Sequence, residues 1–430
     1  MITWMVGTMI ILLLLGFPMM IPLIVGAMIG FVFMFGGLDQ MDFMIQQFMA
    51  GIRPASLIAV PMFILAADIM TRGQSADRLI AMVMSFIGHV KGGLAISTAT
   101  ACTLFGAVSG STQATVVAVG SSLRPKMLKA GYKDNFVLAL IVNASDIAFL
   151  IPPSIGMIIY GVVSNTSISE LFIAGIGPGL LILAMFAAYS VVYAIRHNVP
   201  TEPKSSISER WLAIRRAIWP LGFPVIIVGG IYGGVFSPTE AAAACVLYAV
   251  ILEFIVFRSL SWPALFSIAK STGLTTAVVF ILVAAGASFS WIISFAQIPQ
   301  TLIASLGLAD ASPVMLMVAI CASFFIGCMF VDPIVVILIL VPIFAPLVNA
   351  AGIDPVLVGV LITLQVAIGS ATPPFGCDIF TAIAIFRRPY WEVIKGTPPF
   401  IIMLLVAAGL LIAFPSIALF LRDLAFPGGQ

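Results

Sequence analysis

The sequence predicts an all-α polytopic membrane protein made of two inverted repeats, with about ten transmembrane helices and two re-entrant helical hairpins. Three observations carry this. First, 62% of residues are hydrophobic and 8% charged, with mean hydropathy +1.21; too little polar side chain is left to cover a soluble surface. Second, the chain matches itself at a gapless offset of 221 residues: Gly106, Pro125, Gly131, Pro152 and Pro153 fall on Gly327, Pro346, Gly352, Pro373 and Pro374. Third, lysines and arginines cluster in alternate loops, as cytoplasmic loops require. The 430 residues, divided at ~20 per span plus short connections, allow roughly ten to twelve passes.

Apolar runs bounded by Gly, Pro or charge place spans near 2–18, 20–36, 55–71, 136–163, 171–195, 217–236, 240–257, 273–296, 356–386 and 399–421. The regions 94–122 and 313–348 are apolar but interrupted at Val108-Ser109-Gly110-Ser111 and Phe330-Val331-Asp332-Pro333. A turn at bilayer depth is tolerable only when buried in protein or lining a cavity, so both read as hairpins. The repeats are then 1–195 and 217–430, joined by a polar linker at 196–216 that is cytoplasmic by its basic residues. Segments 40–51 and 259–270, mixed in polarity, suit helices lying along the interface.

The loop after Pro125 carries Arg124, Lys126, Lys129 and Lys133, whereas its counterpart, Val348 to Asp354, carries no base. One motif thus enters from opposite sides. Followed through, this topology puts every Lys and Arg except Arg53 and Arg422 on the cytoplasmic side and both termini outside. The first thirty-six residues lack the basic start and cleavage site of a removable signal.

Several classes are excluded. No G-x-x-x-x-G-K-[ST] loop is present, so ATP is not used directly. His89 and His197 fall in cytoplasmic segments, leaving no base for Ser109 in an intramembrane hydrolase and no His-based metal site. The five cysteines sit in apolar segments as packing residues. The balanced charge implies no nucleic-acid partner.

The interruptions carry the chemistry. Two successive prolines inside a span leave carbonyls unpaired around residues 148–151. With nearby hydroxyl and amide oxygens these make a cage for a small hard cation, as sodium is held in broken-helix transporters. The first cage draws on Ser109, Gly110, Ser111, Asn143, Asp146 and Pro152; the second on Gly327, Asp332, Gly369, Thr372 and Pro373. Half-helix N-termini beyond the breaks suit an anionic group of a substrate, with Thr112, Gln113, Pro153, Ser154 and Pro374 as its contacts. Among ionisable residues in apolar segments, Asp146, Asp332 and Asp378 are candidates for cation ligation, network anchoring or protonation. Asp68, Glu240 and Glu253 read as interface residues near span ends.

Phe105-Gly106-Ala107-Val108-Ser109-Gly110-Ser111, Leu150-Ile151-Pro152-Pro153-Ser154, Gly352-Ile353-Asp354-Pro355 and Thr372-Pro373-Pro374-Phe375-Gly376 together resemble the large membrane subunit of tripartite ATP-independent periplasmic (TRAP) transporters, over nearly the whole chain. The resemblance implies an elevator-type carrier in a bacterial inner membrane. Scaffold helices would lie within 1–71 and 217–257, and a sliding transport domain would hold both hairpins and both broken helices. It implies sodium symport of a small carboxylate, a small four-span membrane subunit and a periplasmic substrate-binding protein. The run Asn143 to Phe149 resembles the sialic-acid branch, pointing to N-acetylneuraminate, with a C4-dicarboxylate as the alternative. Proton coupling and a stand-alone carrier are the other readings.

Overall fold

The computed structural model describes residues 1–37, 41–305 and 311–426, and among them only helices and connecting turns occur. Among the described residues, six helices are long and apolar enough to cross a membrane: Ala55–Arg72, Ile168–Arg196, Ile207–Tyr232, Pro238–Val256, Trp262–Phe295 and Pro333–Ala350. A seventh is the pair Pro398–Ala413 and Ser416–Ala425, bent by 59°. The remaining apolar segments are shorter than the ~20 residues of a straight span. Ile2–Leu14 and Met20–Phe35, for example, are separated by a turn at Gly16, whose φ is +81°.

Both interrupted regions fold as helix pairs, Gly93–Ser109 with Thr112–Lys129 and Pro313–Cys328 with Pro333–Ala350. The first runs to Lys129, past the anticipated end at 122, because Lys126 and Lys129 in its last turn favour the negative end of the helix. Each pair is followed by a glycine turn, Gly131 (φ +90°) or Gly352 (φ +63°), and then by a broken helix. The first broken helix comprises Asp134–Ser145, a 3-10 turn Asp146–Phe149 and Ile155–Ser164. The second comprises Pro355–Ser370 and Cys377–Phe386. Their double prolines are cis at Pro152-Pro153 and Pro373-Pro374.

The halves interlock. The outgoing helix of the first hairpin packs on Cys377–Phe386, and that of the second on Ile155–Ser164. Asp134 is clamped by Arg124 (2.7 Å) and Arg388 (3.0 Å), from opposite halves. Arg422 likewise joins Asp354 (2.8 Å) to Glu170 (3.5 Å).

Two sequence expectations about elements change. Segment 259–270 is not a separate interfacial helix: Trp262–Phe295 is continuous over 34 residues, about 50 Å, because nothing in Lys270-Ser271-Thr272-Gly273 breaks it. Its counterpart 40–51 begins outside the described residues and continues as helix Met41–Gly51. The linker is irregular only in part. Thr201 to Lys204 are exposed and non-helical, while Ser206 and Glu209 form a capping box that starts helix Ile207–Tyr232.

Glu253 is also placed differently. Its side chain is fully buried, and its carboxylate accepts from the backbone N–H groups of Gln74 (3.0 Å) and Ser75 (3.1 Å) and from the Ser75 hydroxyl. It therefore caps helix Ser75–Ile87 from another part of the chain. Glu240 remains exposed and closes a capping box with Ser237.

Candidate functional site

The tip of the first hairpin is made by Gly110, which ends one helix in the left-handed region (φ +61°), and Ser111, whose hydroxyl caps the next. The Gly110 carbonyl accepts from Ile155 N–H at 3.3 Å, and a Cβ at Gly110 would collide with the Pro153 carbonyl. Glycine at this position lets the tip sit on the break of the first broken helix. At the second tip Asp332 caps Pro333–Ala350, accepting from Ile334 N–H at 2.9 Å. That tip meets its own break through Phe375 N–H to Met329 O, 3.1 Å.

Between the tips and two helices of the surrounding framework lies a cavity of about 460 Å³, within the ~300–1,000 Å³ of small-molecule sites. Ser109, Ser111, Gln113 and Ile155 line it from the first half, Asp332 and Ile334 from the second. Asp68 with Ile64 and Ala67, and Ser271 with Thr275, close it from helices Ala59–Arg72 and Trp262–Phe295.

Behind the first tip is a buried oxygen-rich region. Asp146 is fully buried with neither carboxylate oxygen hydrogen-bonded, and Asn143 is buried with its Oδ1 free while its Nδ2 donates to Ala139 O, among the described residues. The carbonyls of Leu150, Ile151, Pro152 and Pro153 accept no hydrogen bond there either, among the described residues. A buried, unpaired carboxylate is costly without a counter-charge, so this arrangement is suited to a cation.

The anticipated residues separate into three groups. Ser109, Ser111, Gln113 and Asp332 face the cavity, and Gly110 packs against Pro153. Asn143, Asp146 and Pro152 lie buried behind the tip. The others are occupied structurally. Thr112 donates to Asp378 Oδ1 (2.8 Å), Ser154 caps Ile155–Ser164 through Met157 N–H (3.2 Å), and Thr372 donates to Ile368 O (2.6 Å). Pro374 O accepts from the Tyr390 hydroxyl at 3.0 Å, and Pro373 is half-buried beside it. Gly369 admits Cys328, and Gly327 packs against Val336. Asp378 is not open to the cavity: Ser370 holds its other oxygen at 2.6 Å. Asp68 is the lining residue that sequence reasoning assigned elsewhere, to the membrane interface. An acid inside an apolar span was the available signal.

Paired hairpin tips and broken helices around a cavity, in a chain with this many apolar helices, define a multi-pass membrane transporter permease. The chain belongs to the family described as the DctM component of the tripartite ATP-independent periplasmic transporters, which it matches over residues 6–417. It is a permease component and not an enzyme.

It is 76% identical to the ectoine TRAP transporter large permease protein TeaC of Halomonas elongata, over 99% of this chain and all of that one. It is 73% identical to the ectoine/5-hydroxyectoine large permease UehC of Ruegeria pomeroyi, over 97% of this chain and 98% of that one. The sialic acid large permease SiaM of Vibrio cholerae is 36% identical over 90% of this chain and 91% of that one. This overturns the expectation of N-acetylneuraminate: the Asn143 to Phe149 run is a short local likeness, outweighed by near-complete similarity to ectoine permeases. In fold, the chain is similar to the Alcanivorax borkumensis YdaH transporter, with TM-score 0.63 and 16% identity over 87% of this chain and 88% of that one.

Proposed function

We propose that this chain is the large permease subunit of a sodium-coupled importer of ectoine or a closely related zwitterion, in a bacterial inner membrane. The observation that carries the reading is its 76% identity, end to end, with the Halomonas elongata ectoine permease. The cavity adds support, since it offers helix N-termini for a carboxylate and carboxylates for a cationic group. A small four-span membrane subunit and a periplasmic substrate-binding protein complete the system, and both termini lie on the periplasmic side.

Sodium occupies the oxygen-rich break behind the first tip, held by Asn143, Asp146 and carbonyls of the 150–153 run, with Ser109 and Ser111 at its edge. The second cage uses Asp332 and the carbonyls around Gly369 and Thr372. Bound sodium neutralises Asp146 and holds each tip against its break, closing the cavity over the solute. Both hairpins and both broken helices then slide as one body past the framework helices, an elevator movement driven by the sodium gradient.

The test is uptake of labelled ectoine into proteoliposomes holding this chain and the small subunit, with loaded binding protein outside. Accumulation is expected with an inward sodium gradient and not when potassium replaces sodium. Accumulation in potassium would overturn the coupling ion. Its absence in both salts, with folded protein present, would overturn the substrate.

A further inference from the structure

We propose that Asp68 binds the cationic pole of the transported solute and so selects a zwitterion over a simple anion. This rests on the reading of the substrate as ectoine or a relative, whose ring amidinium carries the positive charge and whose carboxylate carries the negative one.

Among the described residues that line the central cavity, only Asp68 and Asp332 are charged, and both are acids. Helix N-termini can take up a carboxylate, so with no Lys, Arg or His lining the cavity among the described residues, its charged side chains favour a solute that also carries a positive pole. The two acids are not equivalent. Asp332 is committed to its helix start, with Oδ1 on Ile334 N–H at 2.9 Å, so its charge is compensated by the positive end of Pro333–Ala350. Asp68 stands on the opposite wall, in the last turns of Ala59–Arg72, where the helix end reinforces a preference for cations.

The carboxylate of Asp68 is oriented and forms no salt bridge among the described residues, with the Arg72 charge one turn away acting on it only at a distance. Thr272 donates to its Oδ2 at 2.8 Å, and Oδ1 accepts no hydrogen bond among the described residues. Arg72, one turn further on, directs its guanidinium to Ser267 Oγ at 3.5 Å and does not line the cavity. Asp68 therefore presents an oriented acceptor to the cavity. A cyclic amidinium carries an N–H on each side of its C2 substituent, and one of them can donate a charge-assisted hydrogen bond to the free Oδ1. A solute bound this way spans the cavity, with its amidinium on the framework helix and its own carboxylate toward the first hairpin tip, where a helix begins after Ser111. The dipolar solute is matched to a dipolar cavity.

The experiment is sodium-driven ectoine uptake at saturating loaded binding protein, comparing the wild-type chain with Asp68→Asn, Asp68→Glu and Thr272→Val, each checked for monodispersity. Loss of a charge-assisted contact is expected to slow Asp68→Asn about ten- to hundredfold, with the sodium concentration for half-maximal uptake unchanged. Asp68→Glu should keep part of the rate, and Thr272→Val should lie between Asp68→Asn and wild type. Wild-type rates in Asp68→Asn would overturn the role of Asp68 and leave the substrate standing. A shifted sodium dependence at an unchanged maximal rate would reassign Asp68 to the coupling ion and overturn the proposal. If Asp68→Asn does not fold, an unimpaired rate in both other variants overturns it. No ectoine uptake by the wild-type chain removes the substrate reading itself.

Discussion

The Thr112 hydroxyl donates to Asp378 Oδ1 at 2.8 Å, linking the first hairpin tip to the second broken helix across 266 positions of sequence. Both side chains are buried, and Ser370 donates to the other carboxylate oxygen at 2.6 Å. The link couples the two halves at the level of the breaks.

Thr112→Val removes that donor while keeping volume. A buried carboxylate oxygen left without its partner costs about 1–3 kcal/mol, so the variant should melt earlier in detergent. Thr112→Ser should be close to wild type. Equal melting of all three proteins would show that the contact contributes nothing.

Asp146→Ala removes a carboxylate that has no hydrogen-bond partner among the described residues. If sodium is its counter-charge, the sodium concentration for half-maximal uptake should rise about tenfold or more. A more stable protein with unaltered sodium dependence would instead mark Asp146 as an uncompensated charge with no ion to hold.

Two glycines with positive φ should respond differently to alanine. At Gly131 (φ +90°) a Cβ meets open space, so only the backbone penalty of about 1–2 kcal/mol applies. At Gly110 the same penalty is joined by collision with the Pro153 carbonyl. Gly110→Ala should therefore lose more stability and more uptake than Gly131→Ala, as read by thermal unfolding and initial rates.

The two arginines on Asp134 differ in exposure, 14% for Arg124 and 43% for Arg388. Arg124 also makes a two-point contact, Nε to Oδ1 at 2.8 Å and Nη2 to Oδ2 at 2.7 Å. Exposed pairs are worth ~0–1 kcal/mol, so Arg388→Ala should be nearly silent in thermal unfolding. Arg124→Ala should cost measurably more.

The inverted arrangement predicts sidedness. In a background with the five native cysteines replaced, Lys129→Cys should react with a membrane-impermeant maleimide from the cytoplasmic side and Asn349→Cys from the periplasmic side. Reaction of both from one side would remove the opposed orientation of the repeats.

Much of this architecture was legible because helix breakers repeat. Pro125 with Pro346, Gly131 with Gly352, and the two Pro-Pro pairs mark the same events in each half, and the second hairpin was placed within two residues of its helices. The continuity of Trp262–Phe295 was missed because a polar patch at 270–272 resembles an interfacial boundary, although nothing there interrupts the backbone. Tertiary pairings such as Thr112 with Asp378, Glu253 with Ser75 and Asp68 with Thr272 join residues hundreds of positions apart or nearly so and leave no periodic trace. Thr112 and Ser154 are expected as solute contacts because they stand at half-helix N-termini beyond the breaks. The Thr112 hydroxyl is held by Asp378, a pairing that only packing reveals, and the Ser154 hydroxyl by the local cap at Met157 N–H. The Asn143 to Phe149 run is seven residues long and says less about the substrate than 76% identity over 99% of the chain.

Because each half seats its outgoing hairpin helix on the other's half-helix, the exposed Thr201 to Lys204 stretch serves as a tether and not as a structural joint. Severing the gene there should yield two polypeptides that find each other in the bilayer and restore function together. Neither fragment should suffice when expressed by itself.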